Sequence, residues 1–353
     1  MALFDYGNTR LRARISSLLP IETLESFTNS SSIDSLISSL TKTPYKESIE
    51  TALTYSHGYG CVTQAMRMEL EQIIDDLNEF YQEDAKEKVN HIFLREDLES
   101  LKAIVRGLIH EMPLDEIIHS FSPLSSIPRP ILTQLAKSKS LDEAISKAVI
   151  YDIPVSERLL EWRSKHEEQS SSEIELVIEK WYFHRIEELL ADSSQDSELL
   201  REFYSIEADI INLNTLLRVV EAEDGRTNLK ENFEEYLIDY GFLPNSGLVR
   251  LAKEKSVDNV IRNLFSTRYG KNLRKGLDCY RDTKRLSEFE NQMHVYMLNW
   301  QAKLPKLFPL GIGVPLGYVA KKRNEIRNIR WIAKSIDSGF EPSYIQENLQ
   351  RIE

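Results

Sequence analysis

Gly311, Gly313 and Gly317 are spaced so that they could cradle a phosphate, because glycine lets backbone N–H groups approach an anion closely. Their pattern is G-x-G-x-x-x-G. A dinucleotide fingerprint needs G-x-G-x-x-G between a strand and a helix, and a phosphate-binding P-loop ends in Gly-Lys followed by Ser or Thr. Here Tyr318 follows Gly317 and no strand pattern precedes the run. The glycines read as a loop turning the chain before a last long helix. Glu116 and His119 form one Glu-x-x-His, whereas a di-iron bundle needs two such motifs and two further carboxylates. No His-Glu-x-x-His occurs, and the seven histidines are scattered, each read as a surface or satisfied interior residue. Glu69-Leu70-Glu71, Glu173-Ile174-Glu175 and Glu288-Phe289-Glu290 pair carboxylates two positions apart. On a helix such neighbours point about 200° away from each other, so they read as solvated faces flanking a buried apolar residue. Cys61 and Cys279 form no Cys-x-x-Cys and read as core or half-buried thiols of a chain from a reducing cytosol. Trp162, Trp181, Trp300 and Trp331 read as core or domain-interface residues. No catalytic residue, metal site or cofactor is expected.

Three polar pairs are more informative: Asp97 with Ser100, Asp209 with Asn212, and Glu325 with Asn328. At i and i+3 each pair lies on one side of a helix, and a hydrogen bond between helices, repeated in each domain, is the expected role. The pairs belong to a longer repeat. DLESLKAIVRGLIHEMPLDEIIHSF from Asp97, DIINLNTLLRVVEAEDGRTNLKENF from Asp209 and EIRNIRWIAKSIDSGFEPSYIQENL from Glu325 align without a gap. Apolar residues fall at matched positions: Leu98, Leu101, Ile104 and Val105; Ile210, Leu213, Leu216 and Leu217; Ile326, Ile329, Ile332 and Ala333. That spacing is the stripe of an amphipathic helix. A second segment also recurs three times, opening on Pro20, Pro128 and Pro244 and continuing to Ser32-Ile33-Asp34, Ser140-Leu141-Asp142 and Ser256-Val257-Asp258. A serine before an apolar-periodic run is a helix N-cap signal. Matched segments in constant order imply an internal triplication, hence an all-α chain of three similar helical domains: residues 1–122, 123–240 and 241–353.

Length and charge agree. At 353 residues the chain exceeds the roughly 250–300 at which single cores stop growing. Arg10, Arg12 and Arg14 are followed by no apolar h-region, so no secretory signal is expected. The uncharged run from Leu307 to Ala320 is shorter than the about 20 residues a bilayer span needs, and Pro309 and Pro315 break it. The formal net charge of −12 argues against broad nucleic-acid binding. Yet residues 243–353 carry 20 basic and 11 acidic groups. Arg268, Lys271, Arg274, Lys275, Arg281, Lys284 and Arg285 lie close together, followed by Lys321, Lys322 and Arg323. They form a candidate docking patch for an acidic partner. RNA would fit the same charge, but no nucleic-acid module accompanies it.

PLGYVAKKRNEIRNIRWIAKSIDSGFEPSYIQENL, from Pro315, resembles the end of the central-stalk subunit of rotary V/A-type ATPases, called C in archaeal and bacterial complexes and d in the eukaryotic V-ATPase. YGNTRLRARISSLLP, Tyr6 to Pro20, is similar to that family's opening. The resemblance implies a pseudo-threefold funnel of three helical domains, one copy per complex, with no active site. It implies a peripheral, cytoplasmic adaptor that receives the D and F subunits of the central shaft and sits on the proteolipid (c/K) rotor ring. Torque would pass through it for ATP-coupled ion transport, with membrane contact made through the ring and not by a transmembrane segment. Two other readings compete. One is a helical scaffold or regulator of another complex. The other is an all-α enzyme or RNA-binding protein using the basic third domain.

Overall fold

The computed structural model describes residues 4–165, 170–222 and 231–353. Among them there are helices, turns and loops and no strand, so the chain is all-α. It forms two compact units, and one is discontinuous in sequence: residues up to Phe93 together with Leu298–Glu353. The other is Leu94–Met297. The first unit opens with α1 (Asp5–Ser16), α2 (Ile21–Phe27), α3 (Ile33–Leu40), α4 (Lys46–Leu53), α5 (Gly58–Phe80) and α6 (Glu83–His91). The second contains α7 (Leu94–Ile109), α8 (Leu114–His119), α9 (Arg129–Ala136), α10 (Leu141–Ile150), α11 (Ser156–Lys165), α12 (Ser171–Leu189) and α13 (Gln195–Glu221). A 3₁₀ turn (Phe233–Tyr236), α14 (Asn245–Leu251), α15 (Val257–Asn263) and α16 (Gly270–Thr283) follow. Helix α17 (Ser287–Leu307) starts in the second unit and ends in the first, which α18 (Gly313–Asp337) and α19 (Pro342–Glu347) complete.

The repeated prolines and serines explain where the short helices begin. Pro20, Pro128 and Pro244 are the N-cap residues of α2, α9 and α14, all in the extended conformation that proline's fixed φ favours. Ser32, Ser140 and Ser256 cap α3, α10 and α15, each hydroxyl accepting the backbone N–H three residues on: Ser35, Glu143 and Asn259. The long helices α7, α13 and α18 carry the three matched apolar stripes, and every residue of those stripes is buried. In the first unit Ile326, Ile329, Ile332 and Ala333 of α18 share a core with Leu36, Leu40, Ile49, Val62 and Met66. The C-terminal helix is thus the inner wall of the N-terminal helices. Residues 223–230, within the second half of the segment from Asp209, lie outside the described residues.

The glycine run is not an open loop. Helix α18 already begins at Gly313 and takes Pro315 into its first turn, where the missing N–H costs nothing. A Cβ on Gly317 would sit 2.3 Å from the ring of Pro305 in α17. The glycine therefore serves close helix–helix approach within the first unit.

Candidate partner-docking and helix-fastening sites

The three acids of the matched pairs do the same work. Each reaches from a long helix to the backbone just before a repeated proline. Asp97 on α7 accepts the N–H groups of Ser126 (2.6 Å) and Ile127 (3.1 Å) and the hydroxyls of Ser125 and Ser126. Asp209 on α13 accepts Phe242 N–H (3.1 Å), Leu243 N–H (3.0 Å) and the Tyr269 hydroxyl (2.6 Å). Glu325 on α18 accepts Leu19 N–H (2.5 Å) and the Tyr45 hydroxyl. The second members fasten a different strand of backbone. Asn212 brackets Ile238, donating to its C=O at 2.9 Å and accepting its N–H at 2.8 Å. Asn328 treats Gln350 the same way, at 2.9 Å in both directions. Ser100, with one hydroxyl, accepts Ser122 N–H at 3.1 Å. Gly241 is forced by this arrangement, since a Cβ there would fall 2.1 Å from an Asp209 carboxylate oxygen.

Burial raises the pKa of Asp97, Asp209 and Glu325, while the hydrogen bonds each accepts pull it back down. Tyr45 is raised well above a free phenol by burial and then by the Glu325 charge, so it donates as a neutral hydroxyl. These are saturated structural contacts, with no nucleophile and base poised at a free reacting position. Sequence reading missed the two tyrosines. A signal was available: Tyr45 and Tyr269 both stand 13 residues beyond the capping serine of their segment. At the same offset the middle segment has Ile153, and there Ser125 and Ser126 supply Asp97 with hydroxyls instead.

The ten basic residues of the candidate patch divide between the units. Lys271, Arg274 and Lys275 share an exposed face of α16, with the Arg274 guanidinium 4.6 Å from the Phe265 ring centroid. Arg268 bonds to Glu202 (2.5 Å) and lies over the Phe242 ring at 4.2 Å. Arg281 pairs with Asp258 (2.6 Å), Lys284 approaches the Tyr280 ring, and Arg285 is exposed. These seven belong to the second unit, whereas Lys321, Lys322 and Arg323 belong to α18 in the first. Arg323 is exposed and Lys321 half-buried. Lys322 is a correction to the sequence expectation: it is only 8% exposed. Its ammonium is 2.8 Å from Glu69, 3.0 Å from the Tyr45 hydroxyl and 4.1 Å from the Tyr45 ring centroid, so its charge is engaged within the fold and not displayed with Arg323.

Glu69, expected on a solvated face, is consequently half of a largely buried ion pair and also accepts the Ser48 hydroxyl. The other expected solvated carboxylates include Glu175, which lies 3.4 Å from Arg106. Glu116 and His119 are both exposed on α8. Cys61 is buried, but Cys279 is exposed where a core or half-buried thiol was expected. A polar network in the second unit has no sequence signature at all. Glu179 receives both Arg95 and Lys102, and Arg95 also reaches Glu99 (2.9 Å) and Glu207 (3.3 Å). Burial pushes Glu179 up, but the two cations overcome it and leave its pKa below the usual range.

An open cleft of about 500 Å³ in the first unit is lined by Arg14, Glu47, Glu69, Asp75, Asp76 and Lys322 among others. Arg14 is spent on Asp76 at 3.0 Å. Among the described residues no cluster of three His, Cys, Asp or Glu could hold a metal ion, and no helix is long and apolar enough to cross a membrane.

Comparison with known proteins adds a finding of a different kind. Residues 7–348 match the family model described as ATP synthase (C/AC39) subunit. The chain is 24% identical over 355 residues to the C subunit of the A-type ATP synthase of Methanocaldococcus jannaschii, covering 99% of this chain and 86% of that one. It is 26% identical to the same protein of Thermococcus onnurineus, covering 98% and 89%. To that of Methanosarcina acetivorans it is 24% identical, covering 98% and 92%.

Proposed function

The chain belongs to the ATP synthase (C/AC39) subunit family, and from that premise we propose that it is the central-stalk adaptor of a V/A-type rotary ATPase. It is a subunit of such a complex and a non-catalytic one. In the proposed role it receives the D and F subunits of the shaft and rests on the proteolipid ring, peripheral to the membrane on the cytoplasmic side, one copy per complex. Torque passes through it between the ATPase head and the ion-carrying ring. Three similar helical domains, divided near residues 122 and 240, are part of the same reading.

The observation that carries it is the repeated fastening. Each long helix ties down the backbone ahead of a proline-led helix through a carboxylate, half-buried at Asp97 and buried at Asp209 and Glu325, reaching Ile127, Leu243 and Leu19. A part that transmits force needs joints that do not slip. A carboxylate accepting two or more short hydrogen bonds away from water is stiffer than an apolar contact of the same size. The exposed cations of α16 supply a surface for an acidic partner. The test is co-sedimentation of the purified chain with membranes that retain proteolipid rings but have been stripped of soluble ATPase parts. Saturable binding to ring-bearing membranes, beyond any binding to ring-free ones, is expected. Equal binding to ring-free membranes, or none to either, would overturn the ring-docking role.

A further inference from the structure

We propose that the turn between α17 and α18 is a membrane-surface contact that rests on anionic lipid headgroups, independently of any protein on the ring. Lys303, Lys306 and Leu307 stand at i, i+3 and i+4 on the last turns of α17, so they share one face, and the chain then turns through Pro309 and Leu310. Leu307 is 65% exposed and Leu310 55%, with Pro309 exposed between them. Two leucines left in water three positions apart at a turn are not the scattered single apolar residues that any surface carries.

Basic groups accompany them. The Arg12 guanidinium donates to Pro309 C=O at 2.5 Å. Lys321 is half-buried, and its pKa is held down first by burial and then by repulsion from Lys306, which places these two ammonium groups within each other's field. Among the described residues Lys303, Lys306 and Lys321 make no ion pair. Several other basic side chains of the same unit are matched: Arg14 with Asp76, Lys322 with Glu69, Arg351 with Glu25. Lys303 and Lys306 thus stand one turn apart beside exposed Leu307 with no carboxylate paired to either among the described residues.

That turn is also built to hold its shape. Asn8 donates to Gly311 C=O at 3.1 Å, and the buried Tyr81 hydroxyl donates to Asn8 at 2.6 Å. Pro305 against Gly317 fixes the two helices beneath it. A preformed tip with two leucines and a cationic rim is too small for a stable protein interface, which needs about 800 Å² from each partner. It suits a surface that asks only for charge and shallow apolar insertion. Each cation held near an anionic surface strengthens binding about fivefold.

The experiment uses the full chain and protein-free vesicles, either phosphatidylcholine alone or phosphatidylcholine with one-third phosphatidylglycerol, read by flotation at low and physiological salt. Binding to the anionic vesicles that weakens with salt is expected. The pair Lys303→Glu with Lys306→Glu should weaken it about 25-fold or more. Leu307→Ser with Leu310→Ser should weaken it less steeply with salt. Reversing two charges elsewhere in the unit, Lys42→Glu with Lys46→Glu, should change it much less. Helical circular dichroism confirms that each variant is folded. Absence of binding to anionic vesicles, equal binding to neutral ones, or equal loss in the control pair would each overturn the proposal. Binding only when rings are present would overturn it in favour of a protein partner, while leaving the adaptor role intact.

Discussion

Replacing Asn212 with alanine would strand both backbone groups of Ile238, since the side chain is fully buried and brackets the N–H and the C=O together. An unsatisfied buried group costs about 1–3 kcal/mol, so Asn212→Ala should lower unfolding stability by about 2–4 kcal/mol in a urea titration. A loss under about 1 kcal/mol would mean that water replaces the amide. Glu179 makes a prediction with a sign. Arg95 and Lys102 hold its pKa down in the folded chain, so its contribution is present above the ordinary glutamate pKa and is lost as pH falls through the lower folded value. Asp97, Asp209 and Glu325 are raised by burial and act oppositely: their contribution is present below the ordinary carboxylate range and is lost as pH rises through their folded values. Glu179→Gln should therefore cost about 3 kcal/mol at pH 7, by leaving Arg95 and Lys102 short of a charge partner. It should also flatten the loss of stability below about pH 4.5. Stability measured at both pH values decides it, and an unchanged acid limb would show that Glu179 is not the group responsible.

Helices record in sequence what is local to them and omit what is distant. Ser32, Ser140 and Ser256 cap the helices that their motif announced, because a cap is settled within four residues. The apolar stripes of α7, α13 and α18 were legible for the same reason: helical period alone decides which side chains share a face. The partners of the polar pairs were not legible, although the pairs were. Glu325 meets Leu19 and Tyr45, roughly three hundred residues away in the chain, and no local pattern names such a partner. Lys322 misled for a related reason, being one of three consecutive basic residues on a helix whose buried side is set by Glu69 and Tyr45. The glycines misled through their other use. Gly317 serves an approach so close that Gly317→Ala would press a methyl into Pro305, and about 1–3 kcal/mol of destabilisation is expected. Thermal unfolding measures it. If Gly317→Ala stabilised the chain, through the better helix propensity of alanine, the close approach would not be tight in solution.

At the scale of the whole chain, the C-terminal segment must come back to complete the N-terminal one. Ile326, Ile329 and Ile332 of α18 are at most 2% exposed, and they are covered by side chains of α3, α4 and α5. Burying three isoleucines contributes on the order of 5–9 kcal/mol, comparable with the entire net stability of a domain. Glu325 adds the tie to Leu19, and Arg351 the ion pair with Glu25 at 2.9 Å. A fragment of residues 1–93 therefore lacks both its inner wall and the acceptor for its first proline-led helix, as does a fragment of 298–353 without its cover. Each alone should show little helix by circular dichroism. Mixed in equal amounts they should gain helical signal together and elute as one complex, with a midpoint that depends on concentration because association and folding are then one event. Full helicity in the 1–93 fragment alone would separate the two ends of the chain energetically. It would also leave the Glu325 tie as an ornament on a unit that folds without it. Reconstitution would make that tie part of how the unit is closed, and would place the long helix α18 in the service of the short helices near the N-terminus, as Asp97 serves Ile127 and Asp209 serves Leu243.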